Sequence, residues 1–280
     1  MDILYSIMEK LLPFSWMEYN FMKNALLAII IITPLFGILG TMVINNRMAF
    51  FSDALGHSAL TGIAVGTILG ISNSNISMII YAVIFAVLLN NIKRRRTLST
   101  DTVISVFSSL SMAIGLMILS KGGNFSKYSG LLVGDILSIT AKEIGLLCLV
   151  FVITLAYWSL NFNKLHSVGI NVSLARSKNI KAFVIEDSFS ILIAIIVMLS
   201  IKWIGILIVN ALLILPAAAA RNLASNMREY HLFSVIIAIF SGVIGLVLSY
   251  YLGTATGPTV VIIAAILFFV TFFISSNRSN

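Results

Sequence analysis

Charge is what this chain has least of: Asp, Glu, Lys and Arg together make up 10% of its 280 residues, against 59% hydrophobic. A water-soluble domain of that composition would have little polar surface to show, so an aqueous globular fold is excluded and the solvent is lipid. Cysteine is almost missing. Cys148 stands alone in an apolar stretch, where packing is its role, and one thiol builds neither a disulfide framework nor a thiolate metal cluster within a chain. No GxxxxGK[ST] string occurs, and KGGNFSK at 121–127 has its glycines in another order, so the chain carries no phosphate cradle with which to hydrolyse ATP. HExxH is absent as well, which removes an intramembrane metalloprotease. The first twenty residues lack the basic start of a secretory signal and hold Asp2, Glu9 and Glu18 instead; Phe14, Trp16 and Tyr19 there suit an interfacial segment.

What the chain does have is apolar length. A hydrocarbon core of about 30 Å takes about 20 apolar residues per helix. The runs predict spans at 23–44, 49–71, 76–92, 101–120, 142–160, 185–201, 204–220, 231–251 and 258–275. That makes nine, or eight if one half of the pair 185–201 and 204–220, separated only by Lys202 and Trp203, is re-entrant. All are helical, because membrane strands would alternate in polarity. The fold class is therefore all-α: a polytopic integral membrane helical bundle in one transmembrane domain over 1–280, with no fixed-period repeat and no linker. Arg47, Lys93 to Arg96, then Lys164, Arg176, Lys178 and Lys181, then Arg221 and Arg228, and finally Arg278 fall in alternate gaps, while SNSN at 72–75 and GTATG at 253–257 are uncharged. Basic residues are held on the cytoplasmic side, so the N-terminus is expected outside and the C-terminus inside. Topology accounts for the net charge of +8, and a nucleic-acid surface is not needed to explain it.

The stretch FFSDALGHSALTG, residues 50–62, places Asp53 and His57 one helical turn apart inside a span. Positions four apart share a helix face, so both side chains can meet one object, and Thr61 continues their stripe. Ionisable groups are costly at that depth and ask for a function. Ala54, Ser58, Gly62, Gly66 and Gly70 run alongside, and small residues at this interval let a second helix approach with no lipid between. Carboxylate and imidazole both ligate zinc, and carboxylate also suits manganese or ferrous iron. Two ligands are too few for a closed site, whereas a twofold dimer would gather four. The other reading of the same spacing is an Asp–His hydrogen bond that braces helix packing.

Other polar residues read as structural. Asp101 follows Ser99 and Thr100 and suits a helix start, as do Glu186 and Asp187. Asp135 belongs to a short helix near the outer surface, with entrance-lining as the other reading. Asn210 hydrogen-bonds to a neighbouring helix, Pro216 kinks or ends its own, His166 and His231 are solvated or interfacial, and Lys202 and Trp203 are interfacial anchors.

SDALGHSALTG resembles the second-helix signature of the permease subunits of bacterial zinc, manganese and iron ABC importers. ILIVNALLILPAAAAR at 206–221 and SYYLGTATGPTVVIIAAIL at 249–267 match the same family in the same order. The resemblance implies a multi-pass protein of the bacterial cytoplasmic (inner) membrane, paired with a second permease copy, driven by a cytoplasmic ATP-binding subunit and fed by an extracytoplasmic metal-binding protein. It implies that Asp53 and His57 line the ion path, with Thr61, Ser58, Gly62 and Gly66 as path or packing residues. The cargo would be zinc, then manganese or iron, with no cofactor held permanently and no catalysis by this chain. Ser52 stands where many members carry glycine, and Gly56 where serine or alanine is usual; both are small, so the ligands stand while local packing differs. The segment 164–182 corresponds to a cytoplasmic coupling helix, with Val168, Gly169, Ile170, Val172 and Leu174 facing the ATPase and Gly169 breaking the chain; the other reading of the residues is a positively charged loop that only fixes topology. The rival from another mechanism is an ion-coupled secondary metal transporter, which would keep working without ATP.

Overall fold

The structure is a computed structural model that describes residues 2–11, 14–94, 100–121, 128, 130–132 and 134–278. Arg95 and Arg96 of the basic run, Ser99, and residues 122–127 of KGGNFSK lie outside the described residues. In chain order the helices are α1 (Asp2–Leu11), α2 (Asn20–Asn45), α3 (Ala49–Ile68), α4 (Ser74–Arg94), α5 (Thr100–Lys121), α6 (Ala141–Ile170), α7 (Val172–Ser177), α8 (Ala182–Ile204), α9 (Ile206–Leu223), α10 (Met227–Leu252) and α11 (Thr256–Arg278). Helix alone satisfies every backbone group within its own segment, which lipid requires.

Among the described residues, eight helices are long and apolar enough to cross a membrane: α2, α4, α5, α6, α8, α9, α10 and α11. They correspond to eight of the nine expected spans. The ninth, expected at 49–71, is α3, whose 20 residues would cover about 30 Å. It falls short on apolarity, because Asp53, His57 and several small polar residues sit in it. Its environment makes up for this: Phe51, Leu55, Ala59, Leu60 and Ile63 are all buried, and α3 packs chiefly on α5 and α4, with α8 beside them. Most of this less apolar helix is thus covered by its neighbours.

The chain forms two compact units, with the division falling inside α2, α6 and α9. One comprises Met1–Thr41, Gly134–Tyr157 and Ala211–Asn280. In it α10 lies close on α2, where Ser234 Oγ donates to the Gly37 carbonyl at 2.7 Å, and α10 pairs with α11. Lys23 is buried there and pairs with Glu9. Trp16 is buried too, so of the three expected interfacial aromatics only Phe14 and Tyr19 are exposed. The second unit comprises Met42–Val133 and Trp158–Asn210, and it contains α3.

Two glycines shape this second unit. Gly70, at φ 70°, closes α3: Ile71 N–H reaches back to the Gly66 carbonyl at 2.9 Å and Gly70 N–H to Thr67 at 3.3 Å, the paired bonds of a left-handed helix stop. Gly205, at φ 85° and ψ 159°, is the whole connection between α8 and α9. The break expected at Lys202 and Trp203 therefore lies at Gly205, because only glycine adopts that backbone conformation without strain. Trp203 is correspondingly buried, while Lys202 is exposed. Pro216 lies inside α9, which continues to Leu223.

Candidate functional site

Helix geometry brings Asp53 and His57 together as their spacing predicts. His57 Nε2 faces Asp53 Oδ2 at 3.6 Å, too far for a hydrogen bond, and the contact is an ion pair only when the imidazole is protonated. The carboxylate side chain is 51% exposed and the imidazole 32%, so neither is sealed in the core of the single chain. Meanwhile His57 Nδ1 is buried and has no hydrogen-bond partner. The bracing hydrogen bond that was the alternative reading is not formed.

A third side chain completes the arrangement. Asn210, at the α8-proximal end of α9, donates from Nδ2 to Asp53 Oδ1 at 2.8 Å, leaving its own Oδ1 buried and unpartnered. The sequence predicts Asn210 bonded to a neighbouring helix, and it is; what the sequence does not reveal is that the partner is the Asp53 carboxylate. The only sequence signal was an amide inside an apolar run, which does not say what it meets. Gly56 permits the approach: a Cβ there would lie 2.7 Å from Ile206 Cγ2 and 3.2 Å from Asn210 Nδ2. The departure from the family pattern at Gly56 is therefore a packing feature, matched to Ile206 and Asn210.

The small-residue stripe admits a second helix at two of its positions, whereas Gly70 lies past the end of α3 with nothing within 4 Å of a would-be Cβ. At Gly62 a Cβ would come within 2.9 Å of the Met78 backbone, and at Gly66 it would overlap the Ser77 side chain, so these glycines seat α4 directly against α3. Ser58 donates to the Leu55 carbonyl of its own helix at 2.7 Å and is buried. Thr61 does not extend the open stripe. Its hydroxyl donates to the Ser111 carbonyl, and Ser111 Oγ lies 3.1 Å from Thr61 Oγ1, so it clamps α3 to α5. Of the two roles open to these four residues, the geometry favours packing.

In the expected coupling segment, α6 runs through Gly169 to Ile170, and the break falls at Asn171, whose Oδ1 caps α7 by accepting from Ser173 and Leu174 N–H. Asn at that position satisfies two orphan amides, and Gly169 instead allows close approach of Asn46, 3.3 Å from its would-be Cβ. The apolar edge divides. Val168 and Val172 turn inward on Ala175, Ala182, Ile180 and Ile185, whereas Ile170 and Leu174 stay exposed, at 72% and 47%. The Phe183 ring is met by the guanidinium groups of Arg94, at 4.5 Å, and Arg176, at 4.6 Å.

Several residues differ from their sequence reading. Glu186 and Asp187 lie beyond the first turn of α8 and face Arg94, with Asp187 Oδ1 2.6 Å from Nη2 and Glu186 Oε2 at 3.9 Å; Asn90 adds a bond to Asp187 at 2.9 Å. Ion pairing between helices, which local spacing does not reveal, outweighs the helix-end role. His231 is buried, its Nδ1 2.7 Å from Thr41 Oγ1, because α10 lies on α2 at that level. His166 stacks edge-on against Phe162. Cys148 is exposed. Asp135, expected within a short helix, instead stands just before one and caps the 3₁₀ turn Ile136–Ser138, its side chain accepting from Leu137 N–H. Among the described residues no three His, Cys, Asp or Glu side chains cluster as a metal site.

The fold and site define a class: an all-helical, multi-pass membrane protein with an ionisable pair on a helix largely covered by its neighbours. Residues 18–275 match the ABC 3 transport family, and the chain belongs to that family. It is 31% identical over 259 residues to the high-affinity zinc uptake system membrane protein ZnuB of Haemophilus influenzae, covering 91% of this chain and 98% of that one. It is 27% identical over 261 residues to the manganese import system permease protein ScaB of Streptococcus gordonii, covering 93% and 94%. In structure it resembles PsaBC from Streptococcus pneumoniae in complex with Fab, with a TM-score of 0.81 at 24% identity over 98% of this chain and 96% of that one, which speaks for the fold. The protein is accordingly a multi-pass permease of a bacterial ABC importer of the metal-transporting kind, a non-catalytic membrane component. Such a permease implies an ATPase and a binding protein as partners, and the ion-coupled carrier is set aside.

Proposed function

We propose that Asp53 and His57 form the transient site through which this permease passes a divalent metal ion inward, zinc first and manganese second, with iron as a further cargo. The carrying observation is the pair itself: two ligand atoms facing each other at 3.6 Å on one helix face, neither sealed in the core. Two donors hold a cation weakly, which suits cargo that must leave. A second copy of the chain would double them to the four a tetrahedral ion takes, so a homodimer is the assembly this reading favours. Relatives named for zinc uptake and for manganese import support the cargo class, and the mixed oxygen and nitrogen donors accommodate both.

The N-terminus is placed outside and the C-terminus inside on the distribution of basic residues. That orientation puts 164–182 in the cytoplasm, where exposed Ile170 and Leu174 would meet the ATP-binding subunit. The binding protein delivers the ion from outside, and ATP supplies the drive. No cofactor is held permanently in this reading.

The test is radiometal uptake by vesicles containing the permease, its ATPase and the binding protein, with zinc, manganese and iron in competition and ATP present or withheld. Asp53→Ala and His57→Ala are each expected to abolish ATP-dependent uptake while leaving subunit assembly intact. Uptake at the normal rate by either assembled variant would remove that residue from the site.

A further inference from the structure

The helix that carries Asp53 and His57 is joined to α2 by a turn without slack. Met48 N–H reaches back to the Val43 carbonyl at 2.8 Å and Arg47 N–H to the Ile44 carbonyl at 3.0 Å, so the end of α2 is closed by the paired bonds of a left-handed stop. Arg47 stands at φ 54°, where glycine is the usual residue, and the chain bears that backbone cost to make the turn. Met48 is buried and immediately precedes Ala49, the first residue of α3. Asp53 follows four residues later, about 6 Å along the helix axis. A displacement of the turn is therefore carried to the carboxylate with no loop to absorb it.

Asn46 lies in this turn and touches the end of α6. Its Nδ2 donates to the Met42 carbonyl at 2.8 Å, which fixes the amide with Oδ1 toward Gly169. A Cβ on Gly169 would lie 3.3 Å from Asn46 Oδ1 and 3.5 Å from the Asn45 carbonyl oxygen, so the glycine lets the two backbones come close. On one side of Gly169 is Ile170, exposed at the edge expected to meet the ATPase. On the other is Val168, buried together with Ala175 of α7 and Ala182 of α8, with Val172 packed against them. The end of α6 and α7 thus form one packed body, and close-packed protein transmits displacement because it hardly compresses.

We propose that Asn46 is a positioning residue of the transport cycle: through its contact with Gly169, the segment that faces the ATP-binding subunit shifts the start of α3 and, with it, Asp53 and His57. The inference rests on the readings of 164–182 as the ATPase edge and of Asp53 and His57 as the transport site, and it supplies the physical link between them. Asn46 touches no ion in this account. It acts by shape, as the part of the α2–α3 turn against which the end of α6 bears.

The experiment measures radioactive zinc imported per ATP hydrolysed, in vesicles containing the permease, its ATPase and the binding protein. Asn46→Ala removes the side chain that meets Gly169 and is expected to keep ATP hydrolysis while the zinc imported per ATP falls severalfold. Asn46→Leu keeps a branched side chain of comparable size and is expected to hold the parental ratio. Both variants lose the bond to the Met42 carbonyl, so a purely structural role for that bond would lower both alike. A parental ratio in Asn46→Ala, or an equal fall in Asn46→Leu, overturns the proposal. If Asn46→Ala does not assemble, Gly169→Leu decides: its side chain must push Asn46 away, a lowered ratio is expected, and a parental one overturns the proposal. Failure of the parent readings shows elsewhere: Ile170→Asp and Leu174→Asp would still retain the ATP-binding subunit, or Asp53→Ala and His57→Ala would still import metal.

Discussion

Gly115 of α5 and Gly145 of α6 offer the same substitution with opposite outcomes. A methyl group at Gly115 would lie 2.6 Å from Thr61 Oγ1, 2.8 Å from Thr61 N and 2.9 Å from Thr61 Cα. Carbon contacts settle at about 3.5–4.0 Å, and Thr61 N and Cα belong to the backbone of a helix interior, so they do not swing aside. Helix α5 must then retreat from α3 by roughly 1 Å, at about 1–3 kcal/mol for the overpacking. The retreat also stretches the hydroxyl contacts between Thr61 and Ser111, each worth about 0.6 kcal/mol in a membrane interior. Gly115→Ala should therefore destabilise the protein by about 2–4 kcal/mol. At Gly145 a methyl group meets nothing within 4 Å, so Gly145→Ala should gain about 0.5–1 kcal/mol from helix propensity. Unfolding the purified permease by titration with a denaturing detergent reads both, and metal uptake in the same preparations shows whether displacing the helix that carries Asp53 and His57 also slows transport. Equal stability of the two variants, or a Gly115→Ala protein as stable as the parent, would refute this account of the α3–α5 contact.

Four further substitutions probe the second unit. Gly205→Ala puts a side chain on a backbone at φ 85° and ψ 159°, so a loss of about 1–3 kcal/mol is expected in the same detergent titration; no loss would mean that the α8–α9 connection is not held in that conformation. Ile170→Asp and Leu174→Asp change exposed side chains and should leave stability intact while reducing co-purification of the ATP-binding subunit, whereas Val168→Asp, buried, should impair folding first. Undiminished co-purification with both exposed variants would end the assignment of that edge to the ATPase.

Much of the fold is written in local pattern. Apolar runs of membrane-spanning length mark eight helices, and the four-residue interval from Asp53 to His57 is enough to put both on one face, because helix geometry carries that information over a single turn. The Gly62 and Gly66 stripe also reads directly, since close helix approach requires small residues at that interval. Where a residue's partner lies on another helix, the pattern is silent. Glu186 and Asp187 resemble helix-start acids until Arg94 is found across from them, and His231 resembles a surface histidine until α2 covers it.

The amino-acid sequence by itself determined that this protein lives in lipid, that it is built of helices, and that one of those helices carries a carboxylate and an imidazole on a common face. Burial cost and helical period act within a turn or a span, so they are legible without coordinates. Only the tertiary structure decided that α3 is largely covered by α4, α5 and α8 and that Asn210 reaches Asp53 from 157 positions away. Nothing in the residues between them encodes that meeting, because it depends on two helices packing at Gly56, and packing partners are chosen by shape in three dimensions.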